Sequence, residues 1–281
     1  MLFCAKVFNN EGFELGRIVL KILMSAAVLT LLTPSAPAGA WAPGQGQGEV
    51  IYGLSGQTAS DSFDASGDAE IKTQYQKVTA DFYWEYGLSD TLTSVVNAGV
   101  EMVTIDSPGR DLQSNTGLSA AQFFLRKQVY KSDNSVVSLQ GGVIFGQSGE
   151  SIPGATLGLG GTDTEMGILA GRSGSLWGKN VFAQIHGAQR FRSEGFADET
   201  RIDVTAGLEP NARWQVFMHG FYARGDESKQ GLPAYKRLKL QPSVTYRHVY
   251  NGRIQIGISQ TVSGKNSLND TGAFIALWKR Y

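Results

Sequence analysis

Between Lys77 and Tyr86 the even positions carry Val78, Ala80, Phe82, Trp84 and Tyr86, while the odd positions are mostly polar. Successive side chains of a strand point to opposite faces, so this spacing makes one apolar face and one polar face. The same split recurs in 201–208, 239–247 and 253–260. It predicts strands near 48–59, 71–86, 92–106, 117–129, 135–146, 164–172, 180–192, 199–208, 214–225, 237–248, 253–263 and 272–281. The connections alternate in character. Those at 87–90, 131–134, 209–212 and 249–252 are short, and Asn251-Gly252 is a tight-turn pair. Those at 107–116, 147–163 and 226–236 are longer and polar. The pattern is weakest over 164–180, so ten or fourteen strands remain alternatives to twelve.

Two all-β architectures fit such a chain: a soluble sandwich, or a closed antiparallel barrel that crosses a bilayer with strands. Three features favour the barrel. The strands reach about ten residues, the length a tilted membrane strand needs. Aromatics sit at both ends of the apolar face: Trp84, Tyr86, Trp214, Tyr246 and Tyr281 at the short-turn end, Phe145, Phe191 and Tyr222 near the other. Two such girdles mark two membrane interfaces. The outward cations Lys127, Arg172 and Lys279 all fall near the short-turn end, where long side chains reach headgroups. Closure is required because hydrocarbon offers no partner to the backbone groups of an open edge, so the twelfth strand must pair with the first.

The first 40 residues differ from the rest. Arg17 and Lys21 precede an apolar run from Ile22 to Leu32, followed by Ala36-Pro37-Ala38-Gly39-Ala40. This order is that of a secretory signal, and the run is too short to span a bilayer. Cleavage after Ala38 or after Ala40 fits equally, so residues 1–40 are expected to be a removed leader and 41–281 the barrel. The single cysteine, Cys4, lies in that leader, which excludes disulfides and thiolate metal sites from the mature chain. Lys+Arg and Asp+Glu both number 25, so no basic surface suits nucleic acid.

If the apolar face meets lipid, the other face lines a lumen. The candidate pore-lining residues are Glu49, Lys77, Asp81, Glu85, Glu101, Arg126, His186, His219, Lys239, Arg247, Arg253 and Arg280. Buried charges must be paired or hydrated, so the interior is a wet pore or a salt-bridge network. Carboxylates on the first three strands become neighbours of cations on the last three through the closing seam. Glu49, Glu85, Arg247, Arg253 and Arg280 would gather near the short-turn end, either to narrow the lumen or to fix the barrel's register. The Gly-rich stretch 147–163 either folds inward or forms a surface loop. Inward aromatics such as Phe124, Phe182, Phe217, Phe221 and Phe274 suit apolar solutes or a packed interior.

Trp41-Ala42-Pro43-Gly44-Gln45-Gly46 and the first turn, Glu85 through Thr93, resemble barrels of proteobacterial outer membranes, in particular the group named for the MetA pathway of phenol degradation and related uncharacterised barrels. The resemblance implies a Gram-negative outer-membrane protein that transports small solutes, and it carries over no functional residues. A terminal strand ending in Tyr281 is similar to the signal read by outer-membrane assembly machinery. The expected partners are therefore outer-membrane lipids, that machinery and small solutes, with no cofactor and no metal. His186, His219 and His248 lie in no His-x-Ser-Asn stretch of the outer-membrane phospholipase kind, so an enzyme is not expected. A structural or plugged barrel without transport is the alternative.

Overall fold

The computed structural model describes residues 39–106, 113–146, 161–229, 231–248 and 252–281, with the side chains of 70–73 set aside. The leader through residue 38, the inner part of the Gly-rich stretch (147–160) and Asn251 of the turn pair lie outside the described residues.

The strands are β1 (Gly48–Phe63), β2 (Ala69–Gly87), β3 (Leu92–Asp106), β4 (Gln113–Leu118), β5 (Ala121–Lys131), β6 (Ser135–Phe145), β7 (Thr162–Leu176), β8 (Lys179–Phe191), β9 (Glu199–Glu209), β10 (Trp214–Gly225), β11 (Tyr235–Arg247), β12 (Gly252–Lys265) and β13 (Ser267–Arg280). Every pairing is antiparallel between neighbours. β4 and β5 both pair with β3, from Ile105↔Gln113 to Val100↔Leu118 and then from Asn97↔Gln122 to Leu92↔Lys127. They are one stave with a one-residue register slip at Ser119–Ala120, so the wall has twelve staves. β13 returns to β1 along Glu49↔Arg280 to Phe63↔Ser267, and β1 meets β2 at Gly48↔Tyr86 and Asp61↔Lys72. The ring of strands therefore closes, as a wall in hydrocarbon requires. Between Gly48 and Asp61 the β1–β2 ladder has no further pairs among the described residues, and the outward rings of Tyr52 and Phe82 meet across that seam at 5.4 Å.

The elements outrun the pattern in three places. The 173–180 connection, expected to be a turn of several residues, is two residues long: Trp177 (φ 50°) and Gly178 (φ 70°) join Leu176 to Lys179. Positive φ at both central positions is the type I′ geometry that matches strand twist. β1 and β2 run to within five residues of each other, and Asn266 alone (φ 48°) separates β12 from β13. Both hairpins were read as longer loops because their last turns carry little apolar alternation.

The distribution of side chains is inverted relative to a soluble fold. Met166, Ile168, Val204, Val216, Met218, Ile256, Ile258 and Val262 are exposed, and Arg126, Glu101, Glu165, Thr205, His219 and Gln255 are buried. An apolar belt this continuous around a protein marks lipid contact rather than water. Trp84 stacks on Tyr86 at 5.8 Å and donates to the Tyr281 hydroxyl at 2.5 Å, and Trp214 packs on Tyr246 at 4.8 Å. These rings form the short-turn girdle. Lys127, Arg172 and Lys279 are exposed at the same end.

Four of the 35 glycines acquire a purpose in the lumen. Phe124 is the cross-strand partner of Gly142, Phe182 of Gly207, Phe274 of Gly257 and Tyr235 of Gly225. In each case a Cβ on the glycine would enter the partner's ring. Laying an aromatic over a facing glycine fills the missing side-chain volume and pins the register.

Candidate functional site

The chain enters the lumen before it joins the wall. Residues 39–47 run inward from the short-turn end. The Ala40 amide donates to Gln184 Oε1 at 3.2 Å, and the Ala40 carbonyl accepts from Ser138 Oγ at 2.6 Å. The Ala42 amide donates to Gln128 Oε1 at 3.2 Å, and the Gly39 carbonyl accepts from Arg126 Nη1 at 2.5 Å. Ala40 is fully buried against Val136 and Leu169, with Trp41 beside them. The Trp41 ring occupies the space a side chain on Gly171 would take. The segment leaves through Gly46 and Gln47, whose backbone bonds to Gly87 tie it to the β2–β3 turn. Gly39 and Ala40, which lie between the two expected cleavage points, sit in the lumen.

Arg126 is the hub. It is 1% exposed and, besides Gly39, reaches Gln140 Oε1 at 3.2 Å, Tyr83 Oη at 3.4 Å and Glu85 Oε2 at 3.4 Å. The remaining charged side chains pair mostly with near neighbours. Lys77 pairs with Glu101, and Lys239 with Asp270, which also accepts from Thr261. Arg190 pairs with Asp163 at 2.7 Å, and Arg201 reaches Glu165 at 3.4 Å and Glu199 at 3.7 Å. His186 lies 3.7 Å from Asp203, and His219 Nδ1 shares a 3.0 Å hydrogen bond with the Thr205 hydroxyl. Asp81 is half-buried on the inward face of β2. The expectation that early carboxylates meet late cations through the closing seam holds for one pair of the set, Glu49 with Arg280 Nε at 2.7 Å. Lys239 and Arg247 find carboxylates two strands away, Asp270 and Glu209, and Arg253 bonds the neutral Gln215 instead.

A cavity of about 550 Å³ opens at the short-turn end. The expected group Glu49, Glu85, Arg247, Arg253 and Arg280 all line it, with His219 deeper on the same wall. Glu209, Gln215, Trp41 and Trp278 line it too and were not singled out from the sequence. Trp278 was legible by parity, as an inward position two residues before Arg280. Glu165 was hidden in the poorly patterned stretch, Asp163 at the end of the Gly-rich stretch, and Asp270 in what was read as a connection. An aromatic row crosses the cavity wall: Trp278 to Phe217 at 6.5 Å, Phe217 to His219 at 5.7 Å and His219 to Phe221 at 6.0 Å, all near-parallel. Phe182 meets Phe217 edge-on at 5.7 Å.

The barrel recurs in a known structure. The COG4313 outer membrane channel from Pseudomonas putida F1 superposes with a TM-score of 0.70, at 10% identity, over 89% of this chain and all of that one. The fold is that of an outer-membrane β-barrel. Two autotransporter barrels superpose less closely: the NalP translocator domain from Neisseria meningitidis (TM-score 0.51, 10% identity, 96% of each chain) and the Bordetella BrkA β-domain (TM-score 0.51, 12% identity, 84% of this chain and all of that one). No family model and no curated protein matches the sequence.

Proposed function

We propose that this protein is a Gram-negative outer-membrane channel that passes small solutes, with a lumen narrowed at its periplasmic end. The observation that carries the reading is the cavity of about 550 Å³ inside an inverted wall, lined by charged, amide and aromatic side chains rather than packed shut. The likeness to the Pseudomonas channel supports it, and so does the resemblance to the MetA-pathway group. The pore-lining set runs from Glu101, Lys77 and Lys239 at the outer half to Glu49, Arg247, Arg253 and Arg280 at the periplasmic mouth. Assembly proceeds through the last strand, ending at Tyr281.

Residues 1–38 act as the export leader, and cleavage falls after Ala38. The two sites are equal by sequence, but cleavage after Ala40 would discard the groups bound by Arg126, Ser138 and Gln184. A second reading, a barrel that conducts nothing, is favoured by the segment 39–47 lying in the lumen. Single-channel recording on refolded residues 39–281 in a planar bilayer separates the two. Discrete, salt-dependent steps are expected. A heat-modifiable, inserted barrel without current establishes the second reading instead.

A further inference from the structure

The charged cluster at the periplasmic mouth, counting Arg126 buried behind Glu85, has one cation more than it has carboxylates. Three carboxylates line it, and each faces an arginine: Glu49 accepts from Arg280 at 2.7 Å, Glu209 lies 3.8 Å from Arg247, and Glu85 lies 3.4 Å from Arg126. Arg253 is the fourth guanidinium. It is 9% exposed, and its one hydrogen bond among the described residues goes to a neutral acceptor, Gln215 Oε1, at 3.3 Å. Gln215 is itself engaged with Glu209. No carboxylate stands within ion-pair distance of Arg253 among the described residues. A guanidinium carries five donors, and burying it without a counter-charge is unfavourable.

The register sharpens the problem. Arg253 on β12 is the direct cross-strand partner of Arg247 on β11. Like charges directly opposite on one face repel. Arg247 holds its carboxylate only loosely and is half exposed to the cavity. Two forked donors therefore converge on the same space with acceptors for only some of their N–H groups. On the other side Arg253 lies over the Trp278 ring, 5.9 Å from its centroid, and Trp278 runs on to Phe217. A flat apolar wall thus adjoins an unmatched positive charge.

We propose that this corner binds an organic monocarboxylate with a flat apolar body. The carboxylate bridges Arg253 and Arg247, whose planar forks suit two carboxylate oxygens. The body lies along Trp278 and Phe217. This rests on the channel reading and names the solute class that the periplasmic mouth selects.

Calorimetric titration of the folded barrel in detergent with benzoate and with benzamide tests the proposal, because the two probes share a shape and differ in charge. Benzoate should bind about ten- to a hundredfold more tightly, the range of a charge-assisted bond. Arg253→Gln should bring benzoate down to the level of benzamide and leave benzamide unchanged. Arg253→Lys should keep part of the preference, and Trp278→Leu should weaken both probes. Equal binding of the two probes by the unaltered protein overturns the site without any variant having to fold. Loss of benzamide binding together with benzoate in Arg253→Gln also overturns it, since that is what a merely structural arginine predicts. Acetate binding as tightly as benzoate removes the apolar wall from the proposal. Benzoate preference in a barrel that passes no current sinks the channel reading alone; current without benzoate preference sinks this site alone.

Discussion

Replacing Arg126 by Met tests the central claim about the lumen, that one buried guanidinium joins the wall to the entering segment. The methionine keeps most of the stem's volume and removes the charge. Glu85 would then retain only the Tyr83 hydroxyl at 2.9 Å, and the Gly39 carbonyl and Gln140 Oε1 would lose their donor. Removing one partner of a buried ion pair costs about 3–5 kcal/mol. The Glu85 side chain is 13% exposed and keeps one bond, so the lower end of that range applies, about 3 kcal/mol. Equilibrium urea titration of the barrel folded into vesicles, followed by tryptophan fluorescence, reads this. A second quantity discriminates the mechanism. In Arg126→Met/Glu85→Gln the orphaned charge is gone, so the double variant should be more stable than the two single losses added, by about 1 kcal/mol or more. The segment also loses one of its four anchoring bonds, worth about 1–2 kcal/mol for a charged donor, so open dwell times should lengthen in single-channel records. Stability within about 0.5 kcal/mol of the parent, with additive singles, would refute the hub.

Three further outcomes are expected. Intact-mass measurement of the exported protein should give a chain beginning at Gly39; a chain beginning at Trp41 would remove the Gly39 and Ala40 contacts from the native state. Gly207→Ala pushes a Cβ into the Phe182 ring and should destabilise the barrel by about 1–3 kcal/mol, whereas Gly187→Ala, with nothing near its Cβ, should be neutral or stabilise by up to about 1 kcal/mol; equal effects in urea midpoint would contradict the aromatic-over-glycine packing. In the β1–β2 loop Asp64 Oδ1 accepts the amides of Ser66, Gly67 and Asp68 at 2.7, 2.8 and 3.0 Å, and these bonds, that of Asp68 foremost, hold its carboxyl below the ordinary value of 3.8. A depressed folded-state value contributes stability above the unfolded value, lost as pH falls through the folded one. The protection factors of those three amides, taken against the intrinsic exchange rate at each pH, should therefore fall in that acid window, and Asp64→Asn should abolish that fall.

Strand number, parity and the short-turn aromatic girdle were legible because each rests on a period of two, which any short window of sequence displays. Pairing within the lumen was not, because it depends on register between strands far apart in sequence. Lys239 finds Asp270, and Arg201 reaches across β8 to Glu165; neither partner is marked locally. The two-residue turn at Trp177 escaped for a different reason, since a tryptophan at positive φ departs from the Asn-Gly chemistry that announces such turns. The entering segment is the hardest case. Residues 39–47 are small, Gly- and Pro-containing and without periodicity, and read alone they look like a linker. What holds them is mostly their own amides and carbonyls, which every sequence has. The mark they leave is on the receiving side: Gln128, Ser138 and Gln184 are inward amide and hydroxyl groups whose bonds go to the entering backbone. A polar inward side chain with no complement among its cross-strand neighbours therefore signals a guest. By that criterion the backbone of the N-terminal segment is the guest of Gln128 and Ser138, and the proposed solute would be the guest of Arg253.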